Sequence, residues 1–120
     1  MELENTGIED ILIDVEPLSH LMGVNGFIKG EHWDYERITY DYKIGSPEKG
    51  VNYYIRIQGY ATEGDIDRGN AVVQLMTPII GKHYYPHGVE YDEDNFSKSL
   101  IERATGLVIK AREAIEQYKK

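Results

Sequence analysis

The sequence contains no cysteine, and this absence excludes disulfides, zinc–thiolate sites and thiol nucleophiles. It also has no apolar stretch near the ~20 residues that a membrane-spanning helix requires. The first residues, MELENTGIEDIL, are acidic, whereas a secretory signal begins with a basic segment and continues with an apolar run. These absences predict a protein that works in the cytoplasm and does not bind a membrane.

The sequence motifs of several common sites are missing as well. No serine lies in a G-x-S-x-G turn, and neither the G-x-x-x-x-G-K-[ST] phosphate loop nor the G-x-G-x-x-G dinucleotide motif occurs. EGDIDRGN resembles the start of a calcium loop. Counting from Asp65, however, places Asn70 where the loop requires glycine and Met76 where it requires glutamate. We expect a tight polar loop here, and our leading hypothesis includes no catalytic residue, no metal and no cofactor.

Acidic residues outnumber basic ones, and the excess is uneven along the chain. The formal net charge is −8. Residues 96–120 hold six Lys or Arg and three Asp or Glu, while the preceding 95 residues hold seven and eighteen. An acidic body repels phosphate backbones. We therefore expect no binding of nucleic acid.

A chain of 120 residues forms one domain of ordinary size, and two periodicities organise it. Alternation with a period of two predicts strands, while spacings of three and four predict helices. The predicted elements are a strand at 10–15, a short helix at 17–24, strands at 38–44, 51–57 and 71–76, an extended segment at 81–94 and a long helix at 96–118. We predict a single α+β domain, 1–120, in which the short N-terminal helix and the long C-terminal helix pack on one face of an antiparallel meander of about four to five strands.

Local signals mark the ends of both helices. Asn25-Gly26 provides a left-handed stop for the first helix, and Phe27-Ile28 is expected to return the chain to the core. Either Asp94 or Ser97 is expected to cap the start of the last helix, since both side chains can accept a hydrogen bond from its first turn.

The sheet face away from the helices is expected to carry tyrosine, methionine and arginine, which are enriched at the cores of protein interfaces. An exposed apolar patch on a small domain usually has a partner. Three interpretations remain open: a half-solvated surface, the interface of a two-fold homodimer, or a groove for a small molecule. Our first hypothesis is a non-catalytic module that associates with itself, or with another protein, through Tyr54, Arg56, Tyr60, Val72 and Met76.

The segment GKHYYPHGVEYDED holds two histidines four residues apart. On a helix this spacing would direct both side chains at one metal ion, but Pro86 lies between His83 and His87 and disfavours a helix. In an extended chain the two rings stand ~13 Å apart, at ~3.3 Å per residue, which is too far for a shared ion. Two alternatives stand beside the interface hypothesis. One is an enzyme that uses His87 as an acid or base, and the other is a small-ligand or metal-binding protein that uses His83, Tyr85, His87 and Glu90.

Three long stretches resemble one known family. They are HWDYERITYDYK, YYIRIQGYATEGDID and AVVQLMTPIIGKHYYPHGVEYDED, and together they resemble the YugN-like family of Bacillus and related Firmicutes. The resemblance extends from the ENTGIED start to the last helix. It implies a small cytosolic protein of a family without an assigned activity, so no catalytic or binding position can be carried over.

Overall fold

The sheet and its two helices are seen in a computed structural model that describes residues 1–30, 35–84, 88–91 and 95–119. The elements are β1 (Leu12–Asp14), α1 (Val15–Val24), β2 (Ile28–Lys29), β3 (Arg37–Gly45), β4 (Val51–Glu63), β5 (Val72–Leu75), β6 (Ile79–Tyr84), β7 (Gly88–Glu90) and α2 (Lys98–Lys119). The predicted α+β fold, with a short first helix and a long last helix, is confirmed. The described residues form seven strands rather than four to five, because three of the strands have only two or three residues.

The 13-residue strand β4 is the centre of the antiparallel sheet. Along one edge it pairs with β3, as the predicted hairpin requires. Its other edge is shared, since β5 pairs with its C-terminal half and β6 with its N-terminal half. The break between β5 and β6 contains Pro78, which has no N–H to donate to a ladder. The short strands β1, β2 and β7 extend the sheet beside β5, β3 and β6.

Both helices cover the same face of the sheet, which we call the inner face. It is formed by the buried alternate residues of the strands, such as Ile55 and Ile57 of β4. The Ser19 hydroxyl of α1 lies 2.7 Å from the hydroxyl of Tyr40 on the inner face of β3. The stripe of α2 that faces the core is buried in the same cluster: Ala104, Val108, Ala111 and Ile115. No helix within the described ranges is long and apolar enough to cross a membrane.

The first helix begins two residues earlier than its sequence pattern predicts, at Val15, and it ends at the predicted place. Asn25 follows its last turn, and Gly26 takes the left-handed conformation with φ 85°. The expected return to the core is correct for Phe27, which is fully buried, and wrong for Ile28, which is 73% exposed. Ile28 pairs with Asp41 of β3, and this register turns its side chain to the face that the helices leave open.

Hydrogen bonds hold the long helix at its start and further along its length. Ser97 caps it, because its hydroxyl accepts a hydrogen bond from the Leu100 N–H at 3.2 Å. The other candidate cap, Asp94, lies outside the described residues. Further along, Nη1 of Arg112 donates to the Thr6 carbonyl at 2.9 Å, and this bond ties the N-terminal segment to the helix.

Candidate functional site

The face of the sheet opposite the helices, which we call the outer face, carries most of the exposed large hydrophobic side chains of the described residues. In the part of the chain that the structure describes, nine large hydrophobic side chains are exposed. Strand register and packing place six of them on the outer face: Leu12, Ile28, Tyr60, Met76, Val89 and Tyr91. An exposed apolar cluster of this kind is typical of a surface that binds something.

An ion pair lies in the middle of the outer face. Asp41 of β3 is directly opposite Arg56 of β4. The Arg56 guanidinium donates from Nε to Oδ1 at 2.9 Å and from Nη2 to Oδ2 at 3.0 Å. The hydrogen bond to Asp41 raises the pKa of Arg56, with a smaller coulombic contribution from the same carboxylate. Because both side chains are partly exposed, this pair adds little to stability and instead orders the guanidinium.

Aromatic rings stand beside this ion pair. Tyr54 lies two residues before Arg56 on β4, and its ring meets the His83 ring edge-on, with centroids 6.3 Å apart and planes at 84°. Across β6, the side chains of Tyr91 and Val89 lie over Gly81. A Cβ at Gly81 would be 2.9 Å from Tyr91 Cε1 and 3.0 Å from Val89 Cγ1. The glycine therefore lets both side chains approach the backbone of the sheet.

These side chains enclose a pocket of about 210 Å³. Its walls are three rings and two aliphatic side chains, its floor is the backbone at a glycine, and an ion pair lies at one side. The lining residues are Asp41, Tyr54, Arg56, Ile79, Gly81, His83, Val89 and Tyr91. A mostly apolar concavity with a few convergent polar groups is the usual form of a small-ligand site.

The structure brings together residues that the sequence assigned to two separate hypotheses. Tyr54 and Arg56 were expected at a protein interface and His83 at a ligand site, yet all three line the pocket. Two other predicted interface residues, Tyr60 and Met76, are each 38% exposed on the same face. They line a second groove together with Gln58 and Ile79.

Two other predicted residues, Val72 and Glu90, do not reach the pocket. Val72 is half-buried and pairs with Asp14 on β1. Glu90 pairs with Lys82, which is the neighbour of His83 on β6 and therefore lies on the opposite face. The Glu90 side chain thus points away from the outer face. Tyr85 and His87 lie outside the described residues.

Sequence reasoning missed five pocket residues: Asp41, Ile79, Gly81, Val89 and Tyr91. The alternation of β3 places Asp41 on the outer side, so its face was predictable. Its position directly opposite Arg56 was not, because that depends on the register of the hairpin.

Elsewhere in the described ranges, titratable groups provide no second site. Tyr40 is buried, and burial raises its pKa to about 12, so the hydroxyl keeps its proton and holds Ser19. Among the described residues, no three His, Asp or Glu side chains converge closely enough to hold a metal ion.

Comparison with known proteins identifies the family. The model of the YugN-like family matches residues 3–118. The chain belongs to the YugN-like family. It is 43% identical over 109 residues to a protein of Bacillus subtilis (strain 168) described as uncharacterized protein YlbA, and the match covers 90% of this chain and 89% of that protein.

A solved member of the family has the same fold. It is the crystal structure of the uncharacterized conserved protein YugN from Geobacillus kaustophilus HTA426, which superposes with a TM-score of 0.85. The identity is 39%, and the superposition covers 99% of this chain and 98% of the other. The predicted membership of this family is confirmed.

Proposed function

We propose that this protein is a non-catalytic binding domain that pairs with a second copy of itself through the outer face of its sheet. The observation that carries the proposal is the concentration of exposed hydrophobic side chains on the one sheet face that neither helix covers. Burying such a patch removes apolar surface from water, at roughly 25 cal/mol per Å². Two copies meeting face to face would bury both patches at once.

The outer face has a suitable size for a dimer interface. The seven strands hold 40 residues, and each residue occupies ~3.3 Å along its strand and ~4.8 Å across it. The resulting area, roughly 600 Å², is at the lower end of the roughly 600–1,000 Å² that each partner contributes to a standard interface. The two longer dimensions of the molecule, 41 and 28 Å, accommodate a face of this size.

The outer face carries a mixture of basic and acidic side chains. Two copies of a protein with net charge −8 repel each other at most orientations. The outer-face positions of the seven strands, however, hold three basic and three acidic side chains, which are Arg37, Lys43 and Arg56 against Asp14, Asp41 and Glu63. Three further acids, Glu2, Glu9 and Asp10, line the groove of Tyr60 and Met76, so the face as a whole is weakly acidic. A two-fold axis can still place the basic side chains of one copy against acidic side chains of the other.

Sedimentation velocity over a range of protein concentrations tests the proposal. The wild type is expected to sediment as a dimer at high micromolar concentration. Tyr60→Glu and Met76→Glu, which place a charge in the interface, are expected to give monomers. Tyr118→Glu is the matched control, because Tyr118 is at least as accessible, at 55% exposure, but lies on α2. A wild type that stays monomeric at every concentration would refute the dimer.

A further inference from the structure

We infer that the pocket between β4, β6 and β7 is a binding site for a small, uncharged aromatic ligand that carries a carbonyl group. This inference goes beyond the proposed dimer and does not depend on it. It rests on four properties of the pocket: the rings that form its walls, the hydrogen-bond donors at its edge, the charge that it presents and its volume.

The walls favour a flat ring. Tyr54 and His83 already form an edge-to-face pair, and Tyr91 closes the opposite side above Gly81. An aromatic ligand can stack on, or meet edgewise, each of these rings, which a saturated ligand of equal size cannot do. The two aliphatic side chains in the wall, Ile79 and Val89, accept the remaining edge of such a ring.

The donors at the edge of the pocket favour a carbonyl oxygen. Asp41 accepts hydrogen bonds from Nε and Nη2 of Arg56, and this fixes the plane of the guanidinium. Within the described residues Nη1 makes no hydrogen bond, so its two N–H groups remain for solvent or a ligand. An acceptor oxygen on the ligand can bind there without displacing Asp41.

The charges in and around the pocket favour an uncharged ligand. Arg56 and Asp41 neutralise each other at a separation of 2.9 Å, so the pocket does not present a full positive charge. The chain as a whole is at −8, which lowers the local concentration of anions. A carboxylate would therefore lose its hydration without gaining an unpaired cation.

The volume sets the size of the ligand. At about 210 Å³ the pocket is below the range of roughly 300–1,000 Å³ that is typical for drug-sized ligands. A single ring with one amide group has the appropriate size. Benzamide combines the ring, the carbonyl and the neutral charge, and it serves as the probe.

Titration of the ¹⁵N-labelled protein with benzamide, followed by amide chemical shifts, tests the inference. We expect saturable shifts centred on Gly81, His83 and Val89, with a dissociation constant in the millimolar range or tighter. Benzoate and cyclohexanecarboxamide, which alter only the charge or only the aromaticity, are expected to bind at least ~10-fold more weakly. Equal binding of either analogue would refute the corresponding part of the inference, and the absence of saturable shifts with benzamide in both the wild type and the Tyr60→Glu variant would refute all of it.

Variants locate the binding site. Arg56→Met removes the donor to the carbonyl, and Tyr54→Leu removes one ring. Arg56→Met is expected to weaken benzamide binding by at least ~10-fold, since a hydrogen bond to a charged group contributes at least that factor. Tyr54→Leu is expected to weaken it by about 2- to 10-fold, the contribution of one aromatic contact. Tyr60→Leu is the matched control on the same strand and face, because Tyr60 lines the second groove instead, and it should bind benzamide as the wild type does. An equal loss in all three variants, with unchanged circular dichroism, would contradict a site in this pocket.

The pocket lies on the outer face, so the proposed dimer would cover it and would compete with benzamide. Tyr60→Glu is expected to abolish the dimer while leaving the pocket intact. If this variant is monomeric and still binds benzamide, the pocket is a site of the single subunit. If the wild type never dimerises, benzamide binding is unaffected and the inference about the pocket stands.

Discussion

The two faces of the sheet share one backbone and have opposite surroundings. On the inner face of β4, Ile55 and Ile57 are fully buried beneath the two helices. On the outer face of the same strand, Tyr54 and Arg56 are half-buried, and Tyr60 is exposed. Both faces carry large side chains, but only the inner face has found a partner within the chain. This difference is the basis for the proposal that the outer face contacts another molecule.

The largest effect is expected when the same side chain is shortened on each of the two faces. Ile55→Ala is expected to lower the free energy of unfolding by about 2–5 kcal/mol, because it leaves a cavity in the core. Ile79→Ala lies on the outer face of the neighbouring strand, where it is half-buried, and is expected to cost less than ~1.5 kcal/mol. Urea unfolding of both variants measures the difference. Equal losses would mean that the two faces are equally packed.

A smaller effect on stability is expected from the titration of Tyr40, whose hydroxyl is buried on the inner face. Burial raises its pKa from 10.0 to about 12, while the hydrogen bond with Ser19 acts in the opposite direction. Because the folded-state pKa is the higher one, the stabilisation is complete below pH 10.0 and is lost as the pH rises to about 12. A shift of this size corresponds to about 2–3 kcal/mol.

Urea unfolding at a series of alkaline pH values detects this loss. Tyr40→Phe is the control, because it keeps the ring and removes the titrating hydroxyl. The difference in stability between wild type and variant should shrink across this pH range. If the free energies of unfolding of wild type and variant change in parallel with pH, the titration of Tyr40 does not contribute to the pH dependence of stability.

The smallest effect expected comes from two glycine substitutions, one on each face. Gly59 is on the inner face of β4, and a Cβ there would clash with Cγ1 of Val73, so Gly59→Ala is expected to cost ~1–3 kcal/mol. Gly45 pairs with Asn52 on the outer face, and a Cβ there meets no atom within 4 Å. Gly45→Ala is therefore expected to be neutral or to stabilise the protein by up to ~1 kcal/mol. Melting temperatures of the two variants compare the faces directly, and a loss in Gly45→Ala as large as in Gly59→Ala would contradict the comparison.

The alternation of side chains was sufficient to predict which face each residue of the central strands occupies. The period of two alone predicts that Tyr54 and Arg56 lie on one face of the strand and Ile55 and Ile57 on the other, and the structure agrees. The end of the first helix was predictable from Asn25-Gly26, where Gly26 takes a positive φ. For the start of the last helix the sequence left Asp94 and Ser97 as alternatives, and the structure shows the capping hydrogen bond at Ser97. These features depend on neighbours within a few residues, so the sequence contains the information they need.

The composition of the pocket was not predictable for a different reason. The sequence suggested that the segment after Pro78 continues the sheet, but not that it turns back to the N-terminal half of β4. That return places Gly81 opposite Tyr54 and brings His83 against the same tyrosine. The pairing brings together residues nearly thirty positions apart, and it depends on which strand edge is still free when the chain arrives.

The sequence by itself determined the fold class, the family and the two faces of the sheet, because each of these depends on periodic or local patterns of side chains. Only the tertiary structure decided that the proposed interface and the proposed ligand site meet in one pocket. It did so through strand register, in which Asp41 faces Arg56 and Gly81 faces Tyr54. Register depends on the packing of the whole core, since a shift of one residue would exchange the inner and outer faces.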